Sequence, residues 1–113
     1  MIEAHRDADV AGLLDDIRRL VSDSARIVER GRDRFFDARD RTGRLAAKAI
    51  VIDLQRVAVR LPAEFREQHP DVAWEELRAM QNYLALDDES TDYAMVWNAL
   101  CRDFPILAVQ LGL

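Results

Sequence analysis

Apolar residues in this chain recur at intervals of three and four, and no stretch alternates apolar with polar residues in the way a half-buried β-strand requires. Between positions 7 and 30, Val10, Leu13, Leu14, Ile17, Leu20, Val21, Ile27 and Val28 fall on one helical face, with Asp15 and Asp16 on the other. Gly31 follows, a residue that readily takes the left-handed conformation closing a helix. The spacing therefore predicts a first helix over 7–30, with His5 ahead of it in a mobile terminus and outside any catalytic role. Over 42–61 the same period returns in Ala46, Ala47, Ile50, Leu54, Val57, Ala58 and Leu61. The run Ala49-Ile50-Val51-Ile52 has a strand-like composition, but the period around it decides for helix. Val51 and Val59 make this helix apolar around more than one face, which suits the centre of a core or a subunit interface.

Two further helices complete the pattern. Trp74, Leu77, Met80 and Leu84 mark one over 74–86, which ends at the acidic run Asp87-Asp88-Glu89. Asp92 is placed to cap another over 92–111, in which Met95, Val96, Leu100 and Phe104 are expected to be buried. Pro105 starts a new helical segment where its missing N–H does no harm, and Ile106, Leu107, Val109 and Leu111 finish the core. Short helical turns are expected near 33–37, pinned by Phe35 and Phe36, and near 63–68, anchored by Phe65 and stopped by Pro70. The fold class that follows is all-α: one domain over 1–113, an up-and-down bundle of four long helices plus short turns.

Charge and cysteine usage narrow the function classes. A formal net charge of −5 argues against a general nucleic-acid binder. Positive charge is nearly all arginine, and Lys48 is the only lysine. Residues 26–44 hold seven arginines (26, 30, 32, 34, 39, 41 and 44) against four acids. One reading is a phosphate-contacting patch, since a guanidinium fork meets two phosphate oxygens at once. The other is a solvated surface in which Glu29, Asp33, Asp37 and Asp40 pair the arginines at helical spacing, and the interleaving favours it. Cys101 stands alone, so it forms neither an internal disulfide nor a metal cluster; among Trp97, Leu100 and Phe104 it reads as a buried, inert thiol. His69, beside Pro70, reads as a surface turn residue. No Gly-rich phosphate loop, Ser/His/Asp set or carboxylate–His metal spacing occurs, so no cofactor and no metal are expected. There is no signal peptide and no apolar run of ~18 residues, so the expected compartment is the cytosol, with no membrane partner.

From Trp74 to Trp97 the chain reads WEELRAMQNYLALDDESTDYAMVW. This stretch resembles the signature of HepT-type toxins of the HEPN superfamily, roughly W-R-x-I-x-G-M-R-N-x-L-x-H-x-Y-F-x-V-D-x-x-x-V-W. Met80, Asn82, Leu84, Asp92, Val96 and Trp97 fall into it without a gap, and the likeness covers roughly 60–113. The reactive positions depart from it: Gln81 stands at the arginine, Leu86 at the histidine and Asp88 at the tyrosine. A second departure is Gln55-Arg56-Val57-Ala58, where the family usually shows Gly-Glu-Ala-Ala. The resemblance implies a homodimer in which two motif helices line a shared cleft for metal-independent RNA cleavage. The family arginine would hold the scissile phosphate and the histidine would move a proton.

Neither role survives at Gln81 or Leu86, because an amide carries no full charge and an alkyl group no titratable proton. Loss of the acid–base group alone lowers a rate by ~10² to 10⁴. Asp87, Asp88 and Glu89 add charge that opposes RNA phosphates, so RNA binding at the motif is doubtful. The resemblance further implies a minimal nucleotidyltransferase partner that adds AMP to the motif tyrosine, an acceptor replaced here by Asp88; nearby Tyr83 and Tyr93 read as core-edge residues. Two functions are therefore carried forward. One is a non-catalytic, dimeric binding or regulatory subunit of a toxin–antitoxin type system. The other is a ribonuclease with a rearranged site, for which Arg78, one turn before Gln81, is the candidate relocated arginine.

Overall fold

The computed structural model describes the backbone of residues 2–86 and 91–113 and the side chains of 9–80 and 91–113. Its elements are α1 (Ile2–Glu29), α2 (Arg32–Phe35), α3 (Thr42–Ala58), α4 (Ala63–Glu67), α5 (Trp74–Leu86), α6 (Tyr93–Asn98), a π-helical turn (Ala99–Asp103) and α7 (Phe104–Gln110). No strand occurs among the described residues.

The apolar stripe of α1 does what its spacing predicts. Leu13, Ile17 and Ile27 are buried along it, and Ser24 fills the gap in that row, its Oγ donating to the carbonyl of Val21 at 2.7 Å. That hydroxyl satisfies itself within the helix, so its burial costs little. α1 is longer than its apolar pattern, since the helix already includes His5 rather than starting after it. Its 28 residues span about 42 Å and set the long dimension of a molecule of 53 × 27 × 22 Å. The helix ends at Gly31, whose φ of 94° and ψ of 156° lie in a region open essentially to glycine alone.

α3 lies along α1 and also meets α5 and α6, which makes it the central helix. Ala47, Val51, Leu54 and Ala58 are buried on it, while Leu45 and, at its C-cap, Val59 remain 49% and 50% exposed, so its apolar surface exceeds what the described chain covers. The helix stops at Ala58 rather than at 61. Arg60 and Leu61 bond back three residues, to Val57 and Ala58, because Pro62 disfavours helical backbone at the residue before it.

The last helical stretch runs from Tyr93 to Gln110 but is not one α-helix. In the middle turn the N–H of Phe104 bonds the carbonyl of Ala99, five residues back. Pro105 explains the widening: it brings no N–H, and its ring would collide with the carbonyl four residues earlier in a regular turn. Val96, Ala99, Leu100, Phe104, Leu107 and Leu111 form the buried row. Three sequence expectations are corrected along this stretch. Cys101 is exposed, because it lies one residue, about 100°, past Leu100 around the helix. Ile106 and Val109 are 46% and 79% exposed and do not join the core. Met95 is half-buried.

Candidate functional site

The motif helix α5 is placed by its first residue. The Trp74 indole N–H is shared between the carbonyls of Arg66 and His69, at 3.2 and 3.1 Å, which fastens the start of α5 to the end of α4. His69 belongs to the same anchor. Its Nδ1 lies 2.9 Å from the carbonyl of Phe65, and its ring stacks on Phe65 with centroids 4.4 Å apart. That nitrogen must donate to the carbonyl, so the imidazole is a structural brace. Leu77 and Met80 turn the next two turns of α5 toward the core. Gln81 and Leu86 fall in the final turns of α5, five residues or about 7.5 Å apart along its axis. The side chains of Gln81, Asn82, Tyr83 and Leu86, and the whole of Asp88, lie outside the described residues.

The motif resumes with Asp92. Its carboxylate accepts from the N–H groups of Ala94 and Met95, at 3.0 and 3.2 Å, as an N-cap of α6. One turn on, Trp97 joins an aromatic cluster: Phe35 sits 4.8 Å from it between ring centroids and 6.4 Å from Tyr93, and Phe36 packs edge-on to both Phe35 and Trp97. Phe35 is 2% exposed, so the four residues of α2 are pinned to the core as expected. Sequence reasoning missed the second fastening of this turn. The Arg44 guanidinium donates to the carbonyls of Phe35 and Asp37, at 2.6 and 3.0 Å, and so ties the end of α2 to α3.

Three depressions flank these elements. Between α5 and α7 a cleft of about 140 Å³ has apolar walls from Val72, Leu77, Met80, Ile106 and Leu107, with Glu76 and Asp103 in its lining. Behind the start of α5 a smaller cavity of about 60 Å³ is lined by Gln55, Arg66, Trp74 and Arg78. Gln55 is 4% exposed there, and neither its Oε1 nor the Arg66 Nε has a hydrogen-bond partner among the described residues. The third, of about 190 Å³, opens between α1, α2 and α3 and is lined by Arg30, Arg34, Phe35, Asp40 and Thr42.

The arginine-rich segment is paired less than its interleaved acids suggest. Asp37 takes the Arg39 guanidinium at 3.1 Å, and this pair with the Arg39 backbone N–H holds its carboxyl below the usual carboxylate range. Asp40 accepts the Thr42 N–H at 3.0 Å, and its pKa is lowered first by that bond and then by the Thr42 hydroxyl. The helical-spacing pairs expected for Glu29 and Asp33 do not form among the described residues. Arg78 bonds Glu75 at 2.6 Å, one turn toward the start of α5 and therefore away from the direction of position 86. The exposed Cys101 thiol is pushed up in pKa by partial desolvation, against a lowering by Arg32.

An all-helical chain carrying this ungapped motif across α5 and α6 has the character of a HEPN-type domain. The comparison with protein families makes that specific: the family described as Ribonuclease HepT-like matches residues 15–112, and the chain belongs to it. A similar protein of Caldanaerobacter subterraneus subsp. tengcongensis, named "Putative RNase TTE0752", is 33% identical over 51 residues. That stretch is 45% of this chain and 46% of the relative, so the alignment spans about half of each protein. No solved structure matches the chain.

Proposed function

We propose that this HepT-like chain is a non-catalytic member of a ribonuclease family, acting as a dimeric binding or regulatory subunit for a nucleotidyltransferase in a toxin–antitoxin type system. The observation that carries the reading is the motif itself. Positions that frame it are kept (Met80, Asn82, Leu84, Asp92, Val96 and Trp97), while its reactive positions hold Gln81, Leu86 and Asp88. What remains has a structural use: Asp92 caps α6 and Trp97 locks α2 to it. An amide cannot replace a guanidinium at a scissile phosphate, nor an alkyl group an imidazole in proton transfer. Support for a dimer comes from apolar side chains left in solvent on α3, its C-cap and α7, namely Leu45, Val59, Ile106 and Val109.

The second reading, a ribonuclease with a relocated arginine, rests on Arg78. Against it stand the Glu75 pair and a separation from position 86 of eight residues, about 12 Å along the helix. RNA incubation decides between them. Purified wild type is expected to leave a structured RNA intact; cleavage that Arg78→Ala abolishes would move catalysis to that arginine.

A further inference from the structure

The cleft between α1, α2 and α3 is lined by two of the seven arginines of segment 26–44, Arg30 and Arg34. Of the segment's guanidiniums, Arg39 is held by Asp37, Arg44 by two carbonyls, and Arg32 lies over the Phe36 ring at 4.6 Å. Arg30 and Arg34 are exposed, their guanidiniums make no hydrogen bond or ion pair among the described residues, and both residues line the same cleft. Its floor is firm, since Ile27 and Phe35 are buried there at 9% and 2% exposure. A volume of about 190 Å³ holds many times the ~10–15 Å³ that one water needs, and so has room for a phosphate group.

We propose that this cleft binds a phosphodiester group of a nucleic-acid strand, gripped between the Arg30 and Arg34 guanidiniums. The charge count selects the ligand. Two guanidiniums face one carboxylate, Asp40, which is bonded to Thr42 and lies in the field of Arg34 and Arg44. One net positive charge in the lining matches the single negative charge of a diester better than the nearly double charge of a free phosphate. Phe35, which lines the cleft, packs on Trp97 at the far end of the motif. A bound strand would thus lie against the family's motif without needing its lost chemistry. The segment's excess of arginine in a chain of net charge −5 agrees with a local surface rather than a general basic one.

The test is fluorescence anisotropy with labelled single-stranded RNA and DNA oligonucleotides, with inorganic phosphate titrated by calorimetry. Wild type should bind the strands, and raising salt from about 50 to 200 mM should weaken binding roughly two- to fourfold for one neutralised phosphate. Arg30→Ala/Arg34→Ala should weaken it by about tenfold or more. Arg30→Lys/Arg34→Lys keeps the charge without the fork and should lose less. Arg19→Ala/Arg56→Ala, whose arginines pair with Asp15 at 2.9 Å and Asp53 at 3.8 Å elsewhere on α1 and α3, should bind as wild type. Circular dichroism should show unchanged melting for the cleft variants, and recovery of intact strands separates binding from cleavage. The proposal is overturned if wild type binds neither strand, if the alanine pair binds as tightly as wild type, or if inorganic phosphate binds as tightly as a strand.

Discussion

Gln55 is buried with no partner for its amide oxygen among the described residues, at the position where the HepT pattern has glycine. A buried polar atom without a partner carries its desolvation cost with no return, so Gln55→Met should stabilise the protein by about 1 kcal/mol. Thermal melting checks this, and a lower melting temperature would show that the amide is bonded. Asp37 and Asp40 give a pH prediction with a definite sign. Both pKa values are depressed by the hydrogen bonds from Arg39 and Thr42, so both carboxyls favour the folded turn when ionised. That contribution is complete above the unfolded value of 3.8 and is lost as pH falls from there through the lower folded values. NMR titration should place both midpoints below 3.8, and Asp37→Asn should remove its share of the acid sensitivity. At this scale the sequence was legible where a residue acts on its neighbours, as with the Asp92 cap and the Gly31 stop. It was not legible for Gln55 or Arg44, whose surroundings come from other elements. For Cys101 the apolar neighbours in sequence misled, since helical rotation carries it off the face they share.

Among the elements, α2 is the smallest and among the most tightly fastened. Phe35 meets Phe36, Tyr93 and Trp97, and nothing else in the turn is buried. Phe35→Ala should therefore cost about 3–5 kcal/mol in stability by chemical denaturation, with less for the half-buried Phe36→Ala. Equal, small losses would show that α2 is held by Arg44 and not by the rings. The start of α5 follows its sequence pattern to the residue, because Trp74 marks a sharp beginning, while the acidic run expected to end the helix lies outside the described residues. The π-helical turn did not show in the pattern. Pro105 announces a disturbance of the helix, but whether the chain answers with a break or a wider turn depends on what Leu100 and Phe104 must reach in the core.

For the molecule as a whole, the helical class was legible from periodicity alone, while the excess apolar surface of α3 and α7 is a question that a second chain would answer. Light scattering at micromolar concentration should report about twice the 13.0 kDa chain mass, and a stable monomer would remove the dimer from the proposal. A nucleotidyltransferase partner given ATP should add no AMP to position 88, since aspartate has no phenolic hydroxyl; intact mass reads this directly, and any gain of AMP would show another acceptor at work. The central claim concerns chemistry, and the single-turnover rate of RNA cleavage by purified wild type, without metal and at neutral pH, tests it most directly. The expected rate is indistinguishable from buffer, with Gln81→Arg/Leu86→His/Asp88→Tyr restoring cleavage in the same assay. A wild-type rate well above buffer, unchanged by further purification, would contradict the account and place a working acid–base group where the motif has none.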